Sequence, residues 1–254
     1  MNNEVILITG ASSDIGCELI RQLTLNIDLT KDSLTLLAHV NSGAEKLETL
    51  KLDNECLARH LEIYQADLNS ESELLRMVES ISKKHGYPTQ IVHLAAAKLE
   101  LKRAMQFEWK TVLADLEIQL RSISMILQTF LPKMTKSGRR CKVVFMLSSV
   151  TIGAPAKYMT QYSVSKYAML GYFRSLATEY ADKAICFNAV SPSMVETQFL
   201  SNIPNKYVEM AAAAHPEKRN ASVSDIVPVI RFLLSSDSDY LSGVNLPVTS
   251  GSVI

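Results

Sequence analysis

Short runs of β-branched and other apolar residues alternate along the chain with longer stretches in which apolar positions recur every three or four residues. The runs near Val5–Thr9, Ser33–Ala38, Leu61–Ala66, Gln90–Leu94, Lys142–Leu147, Ile185–Val190 and Val244–Val248 are almost continuously apolar, as strands covered on both faces require. Between them, Ser70–His85, Gln106–Met134 and Tyr162–Ala181 carry the clearest helical period. This alternation predicts repeated βαβ units and an α/β, Rossmann-like doubly wound fold, a seven-stranded parallel sheet with helices on both faces. Nothing rich in Pro, Ser or Gly interrupts the series, so one domain over residues 1–254 is the economical reading.

Composition narrows the function. Apolar residues make up 47% of the chain, enough for a large core, and Lys+Arg and Asp+Glu are equal at 26 each. Neither sign forms a long block, which argues against a nucleic-acid surface. Met1-Asn2-Asn3-Glu4 lacks the basic opening of a signal peptide, and no apolar run approaches the ~20 residues of a membrane span. A cytoplasmic protein with no membrane partner is expected. Cys17, Cys56, Cys141 and Cys186 are scattered, with no CxxC and no histidines at ligand spacing, so reduced thiols and no metal site are expected.

Three places carry chemistry. After the first strand, Thr9-Gly10-Ala11-Ser12-Ser13-Asp14-Ile15-Gly16 leads into the helical run Cys17–Leu23. Glycines there let the backbone approach a diphosphate, and the helix start supplies free N–H groups. Asp67 closes the third strand, either to accept from an adenine amino group or to cap the helix near Ser70. Tyr162-Ser163-Val164-Ser165-Lys166 opens a helix with phenol and ammonium on one face. A phenol titrates near ~10, and a neighbouring cation lowers that value, making Tyr162 a candidate general acid/base. Ser149, after the fifth strand, could polarise a substrate carbonyl.

These residues together resemble the compact short-chain dehydrogenase/reductase family over essentially the whole chain, and within it the 3-oxoacyl-carrier-protein reductases. The family pattern is Thr-Gly-x-x-x-Gly-x-Gly, an Asp after the third strand, and a Ser thirteen residues before a Tyr-x-x-x-Lys; Thr9, Gly10, Gly16, Asp67, Ser149, Tyr162 and Lys166 match it. The resemblance implies hydride transfer between a nicotinamide and a carbonyl or alcohol carbon, with Tyr162 moving the proton, Lys166 holding the ribose and lowering the tyrosine pKa, and Ser149 orienting the substrate oxygen. It also implies cofactor contacts from Gly10, Ser12, Ser13, Asp14, Ile15, Gly16, His39, Asp67, Leu68, Ala95, Ala96, Pro192, Val195 and Thr197. Gln119 stands at the position of the family's fourth catalytic residue, an Asn, and is expected to adjust the proton relay.

Asp14 replaces the middle glycine, His93-Leu94-Ala95-Ala96 replaces Asn-Asn-Ala-Gly, and Ser193 replaces the glycine after Pro192. The end of the second strand, Ala38-His39-Val40-Asn41, carries no acid, which favours NADP(H) over NAD(H), with His39 as a partial cation. A largely apolar substrate loop is expected at Met194–Ala221, for a small-molecule or acyl-thioester substrate. Arg140 and Lys183 lie where the carrier-protein reductases place docking cations. By the same resemblance, the helices at Gln106–Met134 and Tyr162–Ala181 pair across a two-fold axis in a homodimer or homotetramer. The alternative is a catalytically impaired cofactor-binding regulator or partner subunit, suggested by the departures at Asp14, Leu94, Gln119 and Ser193.

Overall fold

A computed structural model describes residues 4–25 and 34–253. Ser33, assigned above to the second strand, lies outside the described residues, as do Met1 to Asn3 and the side chain of Cys56. Among the described residues, β1 (Glu4–Thr9), β2 (Leu34–Val40), β3 (Leu61–Gln65), β4 (Gln90–His93), β5 (Cys141–Met146), β6 (Ile185–Pro192) and β7 (Asn245–Val248) form one parallel sheet in the order 3-2-1-4-5-6-7. The helices are α1 (Asp14–Thr24), α2 (Ala44–Leu52), α3 (Glu55–His60), α4 (Glu71–His85), α5 (Trp109–Leu116), α6 (Ser122–Lys136), α7 (Thr160–Glu179), α8 (Asn205–Ala214) and α9 (Val223–Leu234). No helix among the described residues is long and apolar enough to cross a membrane.

The two-residue period of the strands divides the core. Val5 and Leu7 of β1 face one layer, packed with α4, α6 and α7 around Phe130, Phe145, Phe173 and Phe187. Ile6 and Ile8 face the other, packed with α1, α2, α3 and α9. The four phenylalanines are fully buried, and burial of such a side chain contributes about 2–3 kcal/mol each. Both faces of the sheet are therefore covered, which is why its strands show continuous apolarity in the sequence.

The long helix predicted at Gln106–Met134 differs in the structure. It begins at Trp109, after a 3-10 turn at Ala104–Gln106, and a π-helical turn at Glu117–Arg121 separates α5 from α6. α9 was not singled out from the sequence: Pro228 interrupts its apolar pattern, although the helix buries Ile226, Val227, Ile230, Leu233 and Leu234 and turns Ser224 and Pro228 to the outside.

Candidate active site

The strand order reverses at β1, which has β2 on one side and β4 on the other, and this opens a crevice beyond the carboxyl ends of the strands. A cavity of about 910 Å³ occupies the crevice, from the β2–α2 loop across the turn after β1 to Tyr162 and Lys166 on α7. Every catalytic or cofactor-contact position selected from the sequence lines it except Gly16 and Gln119, which are buried.

The turn is shaped by its glycines. Gly10 has φ +68°, and a Cβ on it would lie 2.9 Å from the Ala95 backbone nitrogen; one on Gly16 would lie 2.5 Å from the Ala11 carbonyl oxygen. The backbone has closed onto both positions, leaving room for hydrogen only. Ser13 caps α1, its hydroxyl accepting from the Gly16 N–H at 3.1 Å, and Ser12 donates to the Ser42 carbonyl at 2.8 Å. Small side chains, backbone N–H groups and a helix start together fit a diphosphate. Gly16→Ala is therefore expected to displace the turn, reduce stability by about 2 kcal/mol and abolish nucleotide binding. Thermal unfolding and nucleotide fluorescence read both effects; a variant that binds like wild type would mean the Ala11 carbonyl yields freely.

At the far end, the Asp67 carboxylate accepts from the Asn69 N–H at 2.9 Å and faces the cavity, while Ser70 caps α4. Of the two sequence readings of Asp67, helix capping is excluded. His39 also departs from expectation. Its ring is 2% exposed, Nδ1 accepts from the Gly10 N–H at 3.2 Å, and Nε2 then donates to the Ala66 carbonyl at 3.0 Å. Burial holds its pKa below the usual value, so this imidazole is a neutral tie between the turn and the end of β3 and supplies no positive charge. Lys46 of α2 lines the cavity at this end, next to the acid Glu45 in the same helix; neither was singled out from the sequence.

At the other end, Tyr162 and Lys166 project from the first turns of α7. Lys166 is 3% exposed, its ammonium donating to the Met146 carbonyl at 2.9 Å and lying 5.7 Å from the Tyr162 ring centroid. The hydroxyl set against the phenol is that of Ser148, whereas Ser149 starts a 3-10 turn along the cavity wall. Burial raises the phenol to about 12, with Asp115 of α5 acting in the same sense and a hydrogen bond with Ser148 opposing both. Burial also lowers the ammonium to about 8, against the opposing pull of Asp115. The expected lowering of the tyrosine pKa is thus not what the protein alone produces: burial outweighs the opposing hydrogen bond of Ser148. Phe199 covers this end, its ring 6.1 Å from that of Tyr162.

The glycine turn and the Tyr–Lys pair share one crevice on a seven-stranded parallel sheet, and known proteins share the arrangement. The family model described as "Enoyl-(Acyl carrier protein) reductase", within the short-chain dehydrogenases/reductases, matches residues 29–252. The chain belongs to this family. Over 257 residues it is 28% identical to 3-oxoacyl-[acyl-carrier-protein] reductase FabG of Thermotoga maritima, covering 100% of this chain and 99% of that protein. In fold it matches the 3-ketoacyl-(acyl-carrier-protein) reductase of Brucella melitensis complexed with NADH (TM-score 0.82, 21% identity, 99% of this chain and 98% of that one). It also matches ElxO with NADP bound (TM-score 0.84, 21% identity, 99% of each chain). This short-chain dehydrogenase/reductase is an oxidoreductase that works between a carbonyl and an alcohol carbon with a nicotinamide nucleotide.

In this dehydrogenase/reductase the π-turn and His93 act together. A π-turn inserts a residue into the helical ladder and re-aims its neighbours. Gln119, at its centre, offers its backbone carbonyl to His93 Nε2 at 2.8 Å, and its side-chain Nε2 donates to Asp115 at 2.7 Å. His93 Nδ1 meets the Thr9 hydroxyl at 2.7 Å, and burial holds the ring neutral, with a pKa of about 3. The imidazole thus ties β1, β4 and the helix bearing Gln119 together. Phe199 belongs to the substrate loop expected from the sequence, whereas Asp115 and Ser148 were not flagged, because each reaches the site through folding rather than through a local motif.

Proposed function

We propose that this protein reduces 3-oxoacyl thioesters or related carbonyl compounds, with Tyr162 as the general acid. The observation that carries this is the placement of the Tyr162 phenol, the Ser148–Ser149 hydroxyls and the Lys166 ammonium in the cavity whose other end is the glycine turn. A substrate carbonyl oxygen taken between Tyr162 and the serine hydroxyls is polarised, and Tyr162 gives it a proton as C=O becomes CH–OH. A bound nicotinamide nucleotide supplies the hydride. Gly10 and Ser12 to Ile15 hold its diphosphate, on a turn whose close packing Gly16 allows; Asp67 and Leu68 receive the adenine; Ala95, Ala96, Lys166, Pro192, Val195 and Thr197 shape the nicotinamide half. The apolar segment Met194–Ala221, which contains a 3-10 turn at Gln198–Leu200 and α8, forms the substrate side. The thioester class is supported by what the Thermotoga relative is named for.

NADP(H) is the favoured nucleotide, and the support shifts from His39 to Lys46, beside a β2 end without an acid. Lys46→Glu is expected to weaken NADPH binding about tenfold and leave NADH binding within about twofold. Parallel fluorescence titrations check this, and an equal loss for both nucleotides would remove Lys46 from that role. Oxidation of the bound nucleotide by acetoacetyl thioesters tests the substrate class; failure with every thioester, alongside turnover of simple ketones, would exclude it. A homo-oligomer is supported by Trp109 and Leu113 on α5 and Val164 and Tyr167 on α7, which are exposed on the two helices the family pairs. Arg140 and Lys183 precede β5 and β6, at the edge of the sheet opposite the cavity, so a carrier docked on them would not face this chain's own pocket.

A further inference from the structure

Asp14 is the residue of the turn whose side chain has found an unexpected partner. Its carboxylate opens α1, where a negative charge is favourable to the helix. One oxygen accepts from the Gln198 N–H at 2.7 Å, a contact between positions 184 apart in the chain. Gln198 begins the 3-10 turn Gln198–Leu200, whose preceding residue, Thr197, makes no side-chain cap. Asp14 thus supplies from a distant element the acceptor that a capping residue normally provides. The next residue, Phe199, is the one whose ring lies tilted against that of Tyr162, and its carbonyl accepts from the Leu99 N–H at 3.3 Å. Leu99, Leu200 and Ile203 complete a small apolar cluster against Tyr162.

We infer that Asp14 is a positioning residue: it holds the segment 197–203 over Tyr162, and it does so at the expense of nucleotide affinity. The inference rests on the dinucleotide reading of the turn. A diphosphate is drawn to the start of α1 by its free N–H groups and dipole, and a carboxylate at the same helix start opposes that attraction. A glycine here would leave the turn's field whole and Gln198 without its anchor. The two effects separate chemically, because Asn keeps an acceptor oxygen without the charge and Gly keeps neither.

Hydrogen exchange of peptides covering 194–204 in the ligand-free protein, together with NADPH and NADH titrations, tests both halves. Asp14→Asn is expected to keep the segment as protected as in wild type and to bind both nucleotides roughly fivefold more tightly. Asp14→Gly is expected to exchange about tenfold faster in that segment, with the sheet unchanged. Gln198→Pro removes the same N–H from the other partner, at a first helical position where proline is tolerated, and should repeat the Gly result should Asp14→Gly fold poorly. Wild-type protection in both Asp14→Gly and Gln198→Pro would overturn the anchoring, and Asn binding no tighter than Asp would overturn the cost in affinity. If wild type binds neither nucleotide, the dinucleotide reading falls and the affinity half falls with it. The exchange comparison, made without ligand, still decides the anchoring.

Discussion

Tyr162→Phe is expected to lower kcat/KM for carbonyl reduction by roughly 10²- to 10⁴-fold, with NADPH and NADH affinities within about twofold of wild type. The variant keeps the ring against Phe199 and near the Lys166 ammonium, and loses only the hydroxyl set against Ser148. Loss of turnover with binding intact would therefore isolate the proton. The pH dependence follows from the same group. With its pKa raised to about 12, the phenol is protonated across the neutral range and is ready to act as an acid in reduction. Oxidation of an alcohol needs the phenolate, so its rate should climb about tenfold per pH unit below that value, and Tyr162→Phe should flatten the climb. A variant retaining most of its activity would assign the proton to another group.

The fold was legible because a parallel sheet covered on both faces writes itself as continuous apolar runs, and all seven of these were found with small errors at their ends. The π-turn was not legible: one extra residue in a helix leaves the apolar period of Gln106–Met134 almost unchanged, although it decides where Gln119 points. Ser148 and Ser149 illustrate a second limit. Family spacing selects Ser149, which lines the cavity, but that Ser148 also acts on the phenol depends on how the chain leaves β5. His39 illustrates a third. A histidine in an apolar strand reads as a possible cation, while its bonds to the Gly10 N–H and the Ala66 carbonyl, which fix it as neutral, join three strands. The bond from Asp14 to Gln198 is longer still in sequence, and local pattern carries no trace of it.

Lys166→Met is expected to abolish most turnover and, at the same time, to stabilise the ligand-free protein. Lys166 is nearly inaccessible, and burial brings its ammonium from 10.5 down to about 8. Each pKa unit corresponds to about 1.4 kcal/mol, so holding the charge in the folded protein at pH 7 costs about 3 kcal/mol relative to the unfolded chain. Methionine has similar length and no charge, but it leaves the Met146 carbonyl without its donor, a loss of about 1 kcal/mol. The net expectation is about 2 kcal/mol of added stability, or a rise in Tm of about 4–8 °C. The sign with pH is a sharper check. Between about 8 and 10.5 the unfolded chain holds a proton on Lys166 that the folded protein has released, so wild-type stability rises with pH through that window. The advantage of the methionine variant should be full below pH 8 and shrink as pH approaches 10.5. A variant less stable than wild type at pH 7, or an advantage that does not change with pH, would mean that the buried ammonium is fully compensated by its neighbours. Stability gained on losing the charge would show that the fold holds Lys166 at the foot of the cavity for its chemistry, against its own stability.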